Sequence, residues 1–170
     1  ISPILLILFL LIYFSDGFPI FFVQFRIGKN GKKFKLYKFR TMKNNTPEIS
    51  TKNFNNYDKY LLKCGKILRK YSLDELPNIF NIFLGNLKFI GYRPALEQQY
   101  FLNEERKKIG ILNYHPGLTG LAQVSGRDNL SDSEKIKYEK EYFENKSFML
   151  QLRIIILTFL VFIKPNNIKG

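Results

Sequence analysis

The residues best suited to chemistry are two adjacent acids, Asp74 and Glu75, in the segment Ser72-Leu73-Asp74-Glu75-Leu76-Pro77. An ionised carboxylate is a competent nucleophile toward phosphorus, with which it forms an acyl phosphate. Two neighbouring carboxylates can also share a magnesium ion with the phosphates of a substrate. Arg69 precedes Asp74 by five residues and adds a positive charge that favours the ionised carboxylate. One short segment therefore supplies a candidate nucleophile, a candidate metal site and an anion-binding group.

The two acids are expected near the start of a helix. Ser72-x-x-Glu75 fits a capping box, in which the serine and glutamate side chains accept hydrogen bonds from each other's backbone N–H groups. Pro77 instead favours a helix that begins near the proline, since proline prefers the first helical position. Both alternatives place Asp74 and Glu75 within a turn of a helix N-terminus. A structural role also stays open, because the helix dipole stabilises acids there by about 0.3–1 kcal/mol each.

A basic segment lies upstream of the acids: residues 26–43 contain eight lysines and arginines and no acid. Residues 28–31 predict a tight turn, and the alternating pattern of residues 33–42 predicts a strand that completes a hairpin. Lys38 and Arg40 could direct their charges at phosphate groups. The alternatives are a solvated edge strand, whose lysines discourage further pairing, and a surface for single-stranded nucleic acid.

Two later segments could also contact phosphate. Arg93 follows a short apolar strand and suits bidentate contact with a phosphate, although a surface salt bridge is the alternative. Residues 115–127 contain three glycines, a proline and few charges, which predicts a loop whose backbone approaches another group closely. His115 in this loop is interpreted as a packing or hydrogen-bonding residue. Residues 96–109 and 131–147 have patterns typical of helices.

Two apolar stretches must also be placed. Residues 4–14 are eleven residues without a charge, fewer than the ~20 that cross a bilayer as a helix. A core helix, the end of a transmembrane helix and half of a bent, re-entrant helix are the alternatives. Ser2-Pro3 favours the bent form, because a serine hydroxyl can satisfy the carbonyl that proline leaves unpaired. Residues 149–163 predict a core helix or a helix in the membrane interface, with Arg153 and Lys164 at the headgroups.

The composition limits the classes of function. The chain has 170 residues, 45% of them hydrophobic, which excludes a disordered tail. Its net charge of +13 predicts an anionic partner: nucleic acid, a phospholipid surface or a phosphorylated substrate. The single cysteine, Cys64, excludes an intramolecular disulfide, and one cysteine with one histidine cannot form a His/Cys zinc site. Any metal would need oxygen ligands.

In this order and spacing, the motifs resemble the bacterial sugar transferase family, whose members of this type are monotopic phosphoglycosyl transferases. The resemblance covers nearly the whole chain. The motifs that carry it are Ser2-Pro3, Tyr37-Lys38-Phe39-Arg40-Thr41-Met42, Leu68-Arg69, Ser72-Leu73-Asp74-Glu75-Leu76-Pro77, Gly91-x-Arg93-Pro94, Pro116-Gly117-Leu118-Thr119-Gly120 and Gln123-Val124-x-Gly126-Arg127.

The resemblance implies an α+β fold, with a mostly helical catalytic domain, a small β-hairpin or sheet, and interfacial amphipathic helices. Residues 1–20 would be the C-terminal part of a re-entrant membrane helix, truncated at the start of this sequence. Residues 21–170 would form the catalytic domain at the cytoplasmic face of the bacterial inner membrane. A homodimer is compatible with the same resemblance.

The resemblance also implies a reaction: sugar-1-phosphate moves from a UDP-sugar to polyprenyl (undecaprenyl) phosphate, with Mg²⁺ required and UMP released. Asp74 would be the nucleophile that forms a phosphosugar-aspartate, and Glu75 its partner, with both acids at the metal. Lys38 and Arg69 would complete the catalytic set. The positions implied to bind substrate are Arg40, Arg93, Pro94, Gln123 and Arg127. The sugar and the glycan pathway stay open.

Some positions depart from the family pattern. Tyr92 replaces a proline, Asn86 replaces an acid, and Glu139 stands where the late helix usually has Asp. Because Asp74 and Glu75 are intact, we expect activity, with sugar preference or metal affinity open to change. The alternatives are an inactive relative and a non-catalytic basic module that binds a membrane surface or nucleic acid. The apolar residues 4–14 argue against nucleic acid, since they would be an unusual patch on a soluble protein.

Overall fold

The computed structural model describes residues 2–44, 46, 57–126 and 129–163. Within these ranges the chain forms helices and short strands, which agrees with the expected α+β class. The helices are α1 (Ser2–Asp16), α2 (Gly65–Lys70), α3 (Asn78–Phe83), α4 (Tyr100–Lys108), α5 (Leu121–Ser125), α6 (Asp132–Glu144) and α7 (Phe148–Ile163). The strands are β1 (Phe21–Ile27), β2 (Lys33–Phe39), β3 (Lys88–Ile90) and β4 (Gly117–Thr119).

The chain divides into two compact units. The first joins Ile1–Phe22 to Tyr37–Pro77, and the second joins Val23–Leu36 to Asn78–Lys169. The hairpin of β1 and β2 runs through both units, with its turn in the second. Each unit has its own hydrophobic core. The catalytic candidates upstream of Asn78 therefore belong to the first unit.

Helix α1 supplies one side of the first core. Its residues Leu5, Leu8, Phe9 and Ile12 follow the i, i+3, i+4, i+7 spacing of a helix stripe and pack into that core. Burial of Leu8 and Ile12 contributes about 1.5–3 kcal/mol each, and the partly buried Leu5 and Phe9 contribute less. The buried core residues outside α1 are Ile20, Phe39, Leu62 and Leu68. One face of α1 is thus part of the first hydrophobic core.

The remaining faces of α1 are exposed apolar surface. Phe14 is 81% exposed, and six more large hydrophobic residues of the helix are also exposed: Ile4, Leu6, Ile7, Leu10, Leu11 and Tyr13. Pro3 lies in the first turn of α1, where proline is tolerated because its missing N–H has no helical partner. In the described part of the chain, every helix is too short or too polar to cross a membrane.

The hairpin forms around the predicted turn. Asn30 and Gly31 have φ angles of 56° and 73°, a left-handed conformation that asparagine and glycine tolerate best. Past β2, the Leu62 N–H donates to the Thr41 carbonyl at 3.0 Å, which ties the strand to the segment before α2. Gly65 begins α2 in close contact: a Cβ there would lie 2.2 Å from the Thr41 oxygen. Only glycine allows this approach.

In the second unit, strands β3 and β4 pair in parallel, with Lys88 opposite Gly117 and Ile90 opposite Thr119. The close approach predicted for residues 115–127 is confirmed, and the group approached is the backbone of Gly91, but the segment contains β4 and α5 where a loop was predicted. A Cβ at Gly117 would lie 2.1 Å from the Gly91 nitrogen, and one at Gly120 would lie 2.0 Å from the Gly91 oxygen. These glycines therefore pack the chain against itself.

A buried ion pair joins α4 to α6. Arg106 Nε and Nη2 donate to the two carboxylate oxygens of Glu139 at 2.8 and 2.5 Å, and the side chains are 1% and 2% exposed. The ring of Tyr92 lies 4.9 Å from the guanidinium carbon. Burial raises the pKa of Glu139, and Arg106 offsets part of that rise. Two departures from the family pattern, Tyr92 and Glu139, thus meet at Arg106.

The remaining helix predictions are confirmed with shifted ends. Helix α4 begins at Tyr100 rather than residue 96, because the Leu96 N–H donates to Gln99 Oε1 at 2.9 Å in a preceding turn. Helix α6 begins with a capping box between Ser131 and Glu134. Helix α7 contributes Ile154 to the core and leaves an apolar stripe exposed at Phe148, Met149, Leu152, Ile155, Ile156, Phe159 and Leu160. The buried Ile154 agrees with the core alternative, the membrane-interface alternative stays a prediction, and Lys164 lies outside the described residues.

We predict that Arg106→Met destabilises the protein more at pH 8 than at pH 5. Without the guanidinium, the pKa of buried Glu139 rises further, so the folded state must hold an unpaired carboxylate at high pH and a neutral carboxyl at low pH. The expected loss at pH 8 is about 3–5 kcal/mol, measured by urea unfolding. Lys108→Met, which breaks the exposed pair with Glu105 on the same helix, should leave stability unchanged. A pH-independent loss would contradict the prediction.

Candidate active site

The two acids lie on a short 3-10 turn, Leu73–Glu75, in the first unit. Leu73 and Leu76 pack against the first core, which holds the turn in place between two apolar anchors. Asp74 is buried and Glu75 is partly buried. Ser72, just before the turn, is buried with φ 51° and ψ 26°, a left-handed conformation that costs a non-glycine residue about 1–2 kcal/mol. Such backbone strain is concentrated at functional sites.

The capping box expected at Ser72 is wrong. The Ser72 side chain makes no cap hydrogen bond, and the Glu75 N–H donates to the Ser72 carbonyl oxygen at 3.1 Å. The left-handed backbone of Ser72 differs from the extended conformation that an N-cap residue adopts. The next helix, α3, begins at Asn78, directly after Pro77. The alternative with a helix start near the proline is therefore confirmed.

Lys38 is a basic residue that the structure brings to Glu75. Its Nζ lies 2.7 Å from Glu75 Oε1, and the two side chains are only 16% and 11% exposed. At this burial the ammonium and the carboxylate interact in less than bulk dielectric, so the contact is stronger than a surface ion pair. The solvated-edge alternative does not describe Lys38, although the neighbouring Lys33 and Lys35 are exposed.

Arg69 is held by a residue that the sequence analysis did not single out. Its Nε donates to Thr41 Oγ1 at 2.8 Å. Thr41 is buried, and its carbonyl oxygen is the group that Gly65 approaches at the start of α2. One threonine therefore fixes both the beginning of α2 and the arginine in its last turn. The sequence could have indicated Thr41, because it lies inside the family-like motif of residues 37–42.

Arg40 is buried, 5% exposed, and faces the C-terminus of α1. Its Nη1 donates to Asp16 Oδ2 and to Asn44 Oδ1, each at 2.6 Å. Its Nη2 donates to the carbonyl oxygens of Asp16 at 3.0 Å and Gly17 at 2.7 Å. The last carbonyls of a helix have no intrahelical partner and carry partial negative charge, so a guanidinium stabilises them. As a substrate contact, Arg40 stays a prediction.

The other predicted substrate residues lie in the second unit or outside the described ranges. Arg93 is partly buried, and the carbonyl of Pro94 accepts a hydrogen bond from Arg26 Nη1 at 3.3 Å. Gln123 is 8% exposed, and neither polar atom of its amide has a partner in the described part of the chain. An unpaired buried amide costs about 1–3 kcal/mol. Arg127 lies outside the described residues.

A divalent cation at this site would be held by two protein carboxylates, Asp74 and Glu75, rather than by a complete set of protein ligands. Within the described ranges, no group of three or more His, Cys, Asp or Glu residues could hold a metal ion. Asp74 and Glu75 nevertheless fit Mg²⁺, which commonly takes one or two protein carboxylates and fills its octahedron with substrate phosphates and water. His115 lies outside this pair; burial lowers its pKa, and the charges of Lys29 and Lys88 lower it further.

The family model for bacterial sugar transferases matches residues 1–165. The chain is 36% identical to the exopolysaccharide production protein ExoY of Rhizobium meliloti, over 92% of the chain and 76% of that protein. It is 39% identical to a UDP-glucose:undecaprenyl-phosphate glucose-1-phosphate transferase of Klebsiella pneumoniae, over 93% of the chain and 36% of that protein. An N-acetylgalactosaminephosphotransferase of Aeromonas hydrophila, which its name assigns to UDP-N-acetylgalactosamine and undecaprenyl phosphate, is 34% identical, over 92% of the chain and 38% of that protein.

The chain therefore belongs to the bacterial sugar transferase family. Membership confirms the family indicated by the motifs and the prediction that the chain is a transferase enzyme. The match extends from α1 to α7, so both units, and with them all the candidate residues, lie inside the family region.

We predict that Arg40→Lys weakens the attachment of α1. A lysine cannot donate to a carboxylate, an amide oxygen and two carbonyls at once, because it has a single nitrogen where arginine presents a planar fork. We expect the free energy of unfolding to fall by about 2–3 kcal/mol, measured by urea unfolding followed by circular dichroism. Arg153→Lys, the same substitution at an exposed position of α7, should change nothing. Equal stability of the two variants would rule out this role for Arg40.

Proposed function

We propose that the protein transfers a sugar-1-phosphate from a UDP-sugar to undecaprenyl phosphate or another polyprenyl phosphate. Family membership and the activities for which the Klebsiella and Aeromonas relatives are named support this reaction class. The observation that carries the proposal is the Asp74–Glu75 pair on its anchored turn, with the Lys38 ammonium 2.7 Å from Glu75. A nucleophilic carboxylate beside a second carboxylate and a cation suits phosphoryl transfer.

In the first step, a carboxylate oxygen of Asp74 attacks the β-phosphorus of the UDP-sugar. The bond from that phosphorus to the bridging oxygen breaks, and UMP leaves with the oxygen and its electron pair. The product on the protein is an acyl phosphate that still carries the sugar. This covalent route replaces one difficult phosphoryl transfer with two easier displacements.

In the second step, a phosphate oxygen of the polyprenyl phosphate attacks the same phosphorus. The acyl–phosphate bond breaks, the carboxylate of Asp74 is restored, and the product is a polyprenyl diphosphate sugar. The two substrates never need to be bound at once, because the sugar phosphate stays covalently attached to Asp74 between the two steps. This order suits a reaction in which one substrate is in water and the other in lipid.

The neighbouring residues have separate proposed roles. The Lys38 ammonium stabilises charge on the phosphoryl oxygens, and Glu75 holds it beside Asp74. Arg69, fixed by Thr41, adds a second cation. Asp74 and Glu75 would hold Mg²⁺, which when bound neutralises phosphate charge. Arg93, Pro94, Gln123 and Arg127 are proposed to contact the nucleotide sugar on the basis of the motifs.

We further propose a peripheral location at the cytoplasmic face of the bacterial inner membrane. The exposed apolar faces of α1 and α7 support this location, since exposed apolar patches of this extent mark interaction surfaces. The basic charge of the chain favours an anionic leaflet. The re-entrant path of α1 and a homodimer stay predictions.

We predict that Asp74→Asn abolishes UMP release from UDP-sugars in the presence of polyprenyl phosphate and Mg²⁺. The amide cannot form the acyl phosphate, so turnover should fall at least ~10³-fold. Glu104→Gln, which removes an exposed acid of α4 in the second unit, should retain full activity. Incubation of the wild type with donor alone should give a protein adduct with the mass of the sugar phosphate. Undiminished turnover of Asp74→Asn would remove Asp74 from the nucleophilic role.

We also predict that Lys38→Met lowers kcat about 10²-fold, as loss of one charge-stabilising donor typically does. Sedimentation with membranes should not change, because Lys38 is largely buried against Glu75. Lys35→Met removes an exposed charge from the same strand and should leave kcat unchanged. If the two variants have the same kcat, Lys38 has no part in the reaction.

A further inference from the structure

A basic cleft in the first unit is not explained by the proposed chemistry. It has a volume of about 460 Å³ and is lined by Lys43, Lys63 and Lys66, by Asp16 and Asp58, and by the apolar side chains of Leu61 and Leu62. Neither Lys38, Asp74 nor Glu75 lines it. The cleft is therefore separate from the residues proposed to react with the sugar phosphate.

The charges of the cleft favour an anion. Asp16 is already paired with Arg40, whose Nη1 lies 2.6 Å from its Oδ2, which leaves the carboxylate of Asp58 against three ammonium groups. In the described part of the chain, Lys63 and Lys66 form no ion pair. Lys43 donates to the Lys59 carbonyl at 2.9 Å and has further protons to donate. The cleft thus has a net positive charge and ammonium donors for a phosphate.

The position of the cleft favours a phosphate that carries a hydrocarbon chain. Ser15 and Asp16, which line it, are the last residues of α1. The exposed apolar surface of α1 reaches Phe14, one residue before the cleft, and Leu61 and Leu62 extend apolar contact into it. A molecule with a phosphate in the cleft could therefore lay an acyl or prenyl chain along α1. Charged headgroup and apolar chain would each meet a matching surface.

We propose that this cleft binds the phosphate headgroup of a membrane lipid. The headgroup contacts Lys43, Lys63 and Lys66, and the chain follows α1. Two sources share this chemistry: the polyprenyl phosphate acceptor before it reaches Asp74, and an anionic phospholipid of the bilayer. The proposal rests on the proposed function only in placing α1 at a membrane.

The test compares two double variants of the full-length protein. Lys63→Ala/Lys66→Ala removes two charges from the cleft. Lys59→Ala/Lys70→Ala removes two exposed lysines from the same stretch of chain, neither of which lines the cleft. Dissociation constants are measured for phosphatidylcholine vesicles that contain either undecaprenyl phosphate or phosphatidylglycerol at matched negative charge. Lys63→Arg/Lys66→Arg, which retains both charges, should bind like the wild type.

We expect the cleft variant to lose about 30-fold in affinity, since each lysine near an anionic surface contributes roughly fivefold, and the control variant to lose markedly less. A loss confined to undecaprenyl phosphate vesicles identifies the acceptor as the ligand. A loss with phosphatidylglycerol, alone or as well, identifies a phospholipid headgroup. Equal affinities of the two double variants on both kinds of vesicle would overturn the proposal.

The vesicle-binding result is independent of catalysis. Because binding requires no turnover, Asp74→Asn should bind both kinds of vesicle with the affinity of the wild type. If Asp74→Asn still released UMP, the proposed reaction would fail while the vesicle result stood. If the cleft variant matched its control while Asp74→Asn was inactive, the lipid site would fail and the reaction would stand.

Discussion

The contact between Lys38 and Glu75 is the interaction on which the candidate active site depends. It joins β2, which begins after a tight turn, to a 3-10 turn that lies 37 residues further along the chain. The turn is itself held by Leu73 and Leu76 in the first core, and Ser72 accepts an unfavourable left-handed backbone just before it. Apolar packing therefore supplies the free energy that keeps two carboxylates and a cation close together in a partly buried place.

The first unit uses its arginines to hold its own elements. Arg40 binds the end of α1 and Arg69 binds Thr41, so the helix with the exposed apolar faces, the end of β2 and the acidic turn are parts of one compact unit. The proposed reaction needs this rigidity, because a misplacement of about 1 Å at the reacting atoms can lower the rate ~10²-fold. The second unit is held differently, by the Arg106–Glu139 pair and by glycines that let β3 and β4 approach closely.

Much of this arrangement was predictable where the signal is local. The hairpin turn at residues 28–31 follows from asparagine and glycine, which tolerate left-handed backbone. Helix α6 follows from its capping residues and helical spacing. The capping box at Ser72 was a wrong prediction because the same four-residue pattern is compatible with a 3-10 turn, and packing of Leu73 and Leu76 decided between them. No local pattern could distinguish the buried Arg106 from its exposed neighbours in α4, since its partner is 33 residues away.

The sequence by itself determined the chemistry available to this protein: an aspartate next to a glutamate, an excess of basic residues, two apolar stretches and a motif order that places the chain in its family. These are properties of residue types and of their spacing along the chain. Only the tertiary structure decided which cation meets Glu75, what Arg40 and Thr41 hold, and that three lysines share a cleft at the end of α1. Such contacts join residues that are far apart in sequence, and they form only when burial of the apolar side chains brings those segments together.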